Sequence, residues 1–101
     1  MSSKPVSVVI KKSNKEGKKY DAIFELENGR TKTVSFGAKG YSDYTQHKDK
    51  ERRNRYRMRH RKNENWDSPM TAGSLSARIL WGESTSIREN IKSYKSRFNL
   101  K

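Results

Sequence analysis

The stretch Arg52 to Lys62 (RRNRYRMRHRK) holds six arginines and one lysine with no acidic residue among them. A guanidinium presents a planar fork of donors that matches two phosphate oxygens at once, and it stays charged at any biological pH. Tyr56 and His60 are interleaved with the arginines and have rings that can stack on bases or sugars. Arg52, Arg53, Arg55, Tyr56, Arg57, Arg59, His60, Arg61 and Lys62 are therefore the candidate nucleic-acid-binding residues. Asp49 and Glu51 lie in the preceding turn, too far back to neutralise the end of the run. Like charges three or four residues apart destabilise a helix, so the run calls for a compensating anion. Nucleic-acid phosphate comes first, an acidic protein surface second, and a plain solvated helix face is the remaining reading. A nuclear-localisation signal would use the same side chains.

Other chemistry finds less support. His47 and His60 are thirteen positions apart, and on one continuous helix they would be separated by about 20 Å. A shared metal ion is excluded on that reading. Phe36-Gly37-Ala38-Lys39-Gly40-Tyr41 carries two glycines but lacks the Gly-Lys-Ser/Thr ending that a phosphate-cradling loop requires. Ser, His and Asp are plentiful, yet no arrangement supplies a nucleophile, a base and an oxyanion hole together. With no cysteine, disulfides, thiol nucleophiles and cysteine-ligated zinc are excluded. The expectation is a non-enzymatic protein with no catalytic residue, cofactor, metal or small-molecule substrate. Trp66 and Trp81 are read as core anchors or partner-binding residues.

The charge of the whole chain points the same way. Twenty-four Lys and Arg against eleven Asp and Glu give a net charge of +13. That exceeds the magnitude of about 2–8 that solubility asks of a small domain, and it attracts nucleic acid, anionic membrane or acidic protein. The apolar fraction of 30% and charged fraction of 35% lean toward disorder. Two Trp, five Tyr and three Phe oppose it, because aromatics bury much area per residue. The short apolar stretch after Met1-Ser2-Ser3-Lys4-Pro5 is too brief for a signal peptide or a membrane span. It implies a soluble, intracellularly made protein.

The elements that must position these residues follow from pattern. Val6 to Ile10 reads as a strand, and Lys11 to Lys19 as a polar loop. Tyr20 to Leu26 alternates, with Tyr20, Ala22, Phe24 and Leu26 on one face. Arg30 to Phe36 returns as a third strand. A two-residue Asn28-Gly29 turn would put Val34 and Phe36 on the face opposite Phe24. A three-residue Glu27-Asn28-Gly29 loop with Gly29 left-handed unites all six apolar side chains on one face, and that parity is favoured. Asp43, with Gln46 three residues later, caps a helix that nothing interrupts before about Lys62. A short helix follows, with Leu75, Ile79 and Leu80 on its buried side, and Gly82 ends it. Ser86-Ile87-Arg88-Glu89 is a capping box. Ile87, Ile91, Tyr94 and Phe98 then stripe a final amphipathic helix. The predicted fold is α+β: an N-terminal three-stranded antiparallel meander, a long basic helix, a short helix and a C-terminal amphipathic helix. It forms one domain over 1–101, with the meander at about 6–36 and the helices at about 43–98.

The segments GYSDYTQHKDKERR, RHRKNENW and TAGSLSARILW resemble a family of small basic proteins of large nucleocytoplasmic DNA viruses that infect algae and amoebae. The resemblance takes in Phe36 to Trp81, with the hairpin preceding it in order. It implies a setting rather than a mechanism, since the family carries no established activity. In that setting the protein is expected in the virion, or in the host nucleus or cytoplasm during infection. One reading is a basic protein that binds nucleic acid non-specifically through its phosphate backbone and organises or packages a genome. The alternative is a minor structural protein of capsid or core that contacts an acidic virion protein.

Overall fold

The computed structural model describes residues 3–101. Three strands, β1 (Pro5–Lys12), β2 (Lys18–Leu26) and β3 (Thr31–Ala38), form an antiparallel sheet in the order β1-β2-β3. Helix α1 spans Tyr44–His47 and α2 spans Lys50–Arg61. Helix α3 (Ala72–Leu75) widens into a π-helical turn at Ser76–Leu80, and α4 spans Ile87–Arg97. The α+β fold is as the sequence implies. Its radius of gyration of 13.3 Å matches the ~13 Å of a compact chain of about 100 residues, despite a composition that leans toward disorder.

The hairpin parity follows the longer loop. Phe24 pairs with Lys32, Ala22 with Val34 and Tyr20 with Phe36. Leu26 N–H donates to Arg30 across the loop at 2.8 Å, and Gly29 has φ of 84°. That left-handed conformation strains any residue with a Cβ. Val8 pairs with Phe24 and Ile10 with Ala22, so all three strands present apolar side chains to the same side. Leu75, Ile79, Leu80 and Tyr94 close over them, and Val8, Ala22, Phe24 and Phe36 are essentially inaccessible. On the far side of β1, Lys101 exchanges backbone bonds with Val6 and Val8, which covers part of that sheet edge.

Two helical expectations need correction. The segment 43–62 is not one helix. Asp43 and Gln46 do form the capping box of α1, but Lys48 turns left-handed at φ 59° and ends it. Asp49 then caps α2 anew, accepting from the backbone of Glu51 and Arg52. Asp49 N–H itself donates to His47 Nδ1 at 3.0 Å, so the break is stabilised by the side chain just before it. On α4, Ile91 is only partly buried, whereas Asn90 and Tyr94 are buried. Asn90 Nδ2 donates to Ile79 (2.8 Å) and Ser84 (2.7 Å), and its Oδ1 accepts from Ser84 N–H. One amide thus ties α4 to the loop after the π turn. Gly82 lies against it: a Cβ there would collide with the Arg78 carbonyl and the Asn90 side chain.

Candidate nucleic-acid interface

Helix α2 has no fully buried residue, so it is held by side chains reaching across rather than by an apolar stripe. Arg53, Tyr56, Arg57 and His60 recur at the spacing of one helix face, and all four are half-buried. They meet the end of the π turn, where helical geometry leaves backbone carbonyls without partners. Arg57 Nη1 donates to the carbonyls of Ala77 (2.7 Å) and Trp81 (2.9 Å). Arg53 Nε donates to Gly82 at 2.6 Å. The Arg57 guanidinium lies 4.7 Å from the Trp66 ring centre, and that of Arg53 5.6 Å from Tyr44.

Between these arginines runs a column of rings. His47 meets Trp81 at 5.3 Å, Trp81 stacks on Tyr56 at 4.2 Å, and Tyr56 stacks on His60 at 4.1 Å. Trp66 is held by its indole N–H, which donates to Glu64 at 3.0 Å. His60 Nδ1 is 3.5 Å from the other oxygen of Glu64. Burial, followed by the nearby charge of Glu64, pushes the Tyr56 phenol up to about 12. Burial first, then the charges of Arg53 and Arg78, lowers the pKa of Arg57.

The opposite face of α2 is different. Arg52, Arg55, Arg59 and Lys62 recur at intervals of three, four and three residues, and all are exposed. Met58 is exposed among them at 72% accessibility, and Arg61 is exposed on a different side of the helix. The row extends over about 15 Å of helix, and no acidic residue lies between its first and last members.

The structure therefore divides the predicted site in two. Arg52, Arg55, Arg59 and Lys62 form one outward basic surface, while Arg61 is exposed on another side of the helix. Arg53 and Arg57, counted among the candidate nucleic-acid-binding residues, are bound to carbonyls of the same chain. Tyr56 is sandwiched between Trp81 and His60, and Trp81 has ring neighbours on both sides. The distance argument about His47 and His60 also changes, because they lie on separate helices at the two ends of one ring column. Sequence reasoning passed over Asn90 and the arginine-to-carbonyl bonds. The spacing 53-56-57-60 was the available signal, since it is that of a helix face turned toward packing.

Among the described residues, no group of three or more His, Asp or Glu is placed to hold a metal ion. Among them also, no helix is long and apolar enough to cross a membrane. No curated protein and no solved structure matches the chain. A match to a family of unknown function runs over residues 8–60, from the middle of β1 to His60 of α2. It spans more than half the sequence and includes nearly all of the basic run, and the chain belongs to that family of unknown function, DUF5754.

Proposed function

We propose that this is a non-enzymatic protein that binds nucleic acid without sequence preference through the outward face of α2. The observation that carries the reading is the row Arg52-Arg55-Arg59-Lys62, fully outward and free of acids, on a helix whose Arg53 and Arg57 are bonded instead to carbonyls of the same chain. Four cations over about 15 Å suit a duplex backbone, where each strand offers a phosphate every 3.4 Å or so along the axis. Such contacts fix a protein on the duplex but read no bases. The row itself holds no side chain of the amide type that reads adenine edges, the exposed Asn54 lying off it, and its arginines lie along a row rather than at a helix tip. In the viral setting that the sequence resembles, the activity would organise or package a genome.

The alternative, a minor capsid or core protein gluing acidic surfaces, would draw on exposed apolar anchors. Its two candidates are engaged within the chain: Trp81 lies between Tyr56 and His47, and Trp66 lies under Arg57. The first test is whether purified protein carries nucleic acid that only high salt removes. Release at high salt supports phosphate contacts, and protein free of nucleic acid at low salt opposes them.

A further inference from the structure

A second basic feature involves the packed face of α2, opposite its outward row. A cavity of about 240 Å³ is bounded by Arg57 of α2, Arg78 of the π turn and Arg97 of α4, with Asn90, Ser93 and Glu83 completing its wall. We propose that this cavity is a binding site for a phosphate group.

Three guanidiniums from three different helical segments line it, and each is anchored by contacts within the chain. Arg57 spends Nη1 on the carbonyls of Ala77 and Trp81. Arg78 spends Nε on the Trp66 carbonyl at 2.9 Å. Asp67 bridges Arg78 and Arg97 through one carboxylate oxygen, at 3.4 and 2.9 Å. Phe98 lies under both of these last two guanidiniums, at 5.4 and 5.7 Å. A guanidinium has five N–H donors, so each arginine keeps donors beyond these anchors. Preorganised forks of this kind recognise a tetrahedral oxyanion with little ordering cost.

Charge and size narrow the ligand. Glu83 is the one acid in the cavity wall, against three arginines. Burial and the neighbouring cations Arg53 and Arg78 disfavour the charge on Arg57, a strain that a bound anion relieves. The volume is below the ~300 Å³ at which pockets for drug-sized molecules begin. It suits a phosphate or diphosphate rather than a whole nucleotide. Free inorganic phosphate and the terminal phosphate of a strand share this chemistry.

The test is thermal unfolding of the full chain with inorganic pyrophosphate, against sodium chloride at equal ionic strength. At ten times Kd, pyrophosphate is expected to raise Tm by about 7 °C. Arg97→Gln and, separately, Ser93→Glu should each abolish most of that shift. Both positions are solvent-facing enough to keep the fold: the Arg97 side chain is 54% exposed and Ser93 is exposed. The triple variant Arg52→Gln, Arg55→Gln, Arg59→Gln should keep the shift, and Glu83→Gln should enlarge it. Displacement from that triple variant by a 5′-phosphorylated oligonucleotide, and not by its 5′-hydroxyl counterpart, would assign the site to a strand end. Displacement by neither would assign it to the free anion, and both results support the site. A shift that survives both cavity variants, or that disappears in the triple variant, would mean that pyrophosphate binds only the outward arginines and would overturn the proposal.

Discussion

The Tyr56 ring lies flat against the Trp81 indole, 4.2 Å between centroids and 5° between planes. This stack joins the basic helix to the end of the π turn, and the bonds from Arg53 and Arg57 flank it. Two of the six arginines of the run are thereby structural, and the row Arg52, Arg55 and Arg59 is presented outward on a fixed support.

Arg57 and Arg55 should behave oppositely although they are two residues apart. Arg57→Gln leaves the Ala77 and Trp81 carbonyls without their charged donor and is expected to cost about 2–4 kcal/mol. Arg55→Gln, on the exposed side, should stay within about 0.5 kcal/mol of the parent. Urea unfolding of the two variants checks the difference. Equal stabilities would mean that the carbonyl contacts contribute nothing.

Asn90 should be the most sensitive polar position. Asn90→Leu removes the amide and orphans acceptors on Ile79 and Ser84, with an expected loss of about 2–4 kcal/mol. Asn90→Asp keeps the acceptor for Ser84 N–H but not the two donated bonds, so it should rescue little. Thermal unfolding of both variants reads this directly.

On α4, Tyr94 should outweigh Ile91. Tyr94 is 1% exposed and its hydroxyl donates to the Pro69 carbonyl, so Tyr94→Ala is expected to cost about 3–5 kcal/mol. Ile91 is only partly buried, and Ile91→Ala should fall below the range of about 2–5 kcal/mol that a fully buried isoleucine would give. Chemical denaturation that ranks Ile91 above Tyr94 would contradict the packing described.

Alkaline pH should unfold the protein through its phenols. The folded pKa of Tyr56 is pushed up to about 12, mainly by burial, from an ordinary value near 10. Burial also raises Tyr94. Between those pH values the unfolded chain releases a proton that the folded chain retains, so stability falls as pH rises. The contribution from Tyr56 is complete below about pH 10 and is lost by about pH 12. Tyr56→Phe should make the decline of stability over that window shallower than in the parent. An unchanged decline would show that Tyr56 does not experience this environment.

The sheet was legible because its signals are local. Alternation in β2, the sequence Glu27-Asn28-Gly29 and the need to unite Phe24 with Phe36 fix the register together. The Asp43 and Ser86 caps were legible for the same reason, since each bonds within three residues. The break at Lys48 carried no Gly or Pro to announce it. It accompanies the packing of His47 on Trp81, thirty-four positions away in the sequence. The split of the arginine run was equally non-local, because Arg53 and Arg57 find their acceptors between Ala77 and Gly82. Their charge was visible in the sequence, but the carbonyls exposed by a π turn were not.

The central claim rests on which arginines meet phosphate, and the salt dependence of DNA affinity measures it most directly. With the four cations of the outward row neutralising phosphates, log K should fall against log salt with a slope of about −3 to −4 on any duplex sequence. The triple variant Arg52→Gln, Arg55→Gln, Arg59→Gln should keep its Tm and lower that slope by about 2–3 units. Arg53→Gln should instead lower Tm and leave the slope nearly unchanged under conditions where it remains folded. Absence of salt-sensitive binding at low ionic strength, or a slope that the triple variant does not alter, would contradict the account.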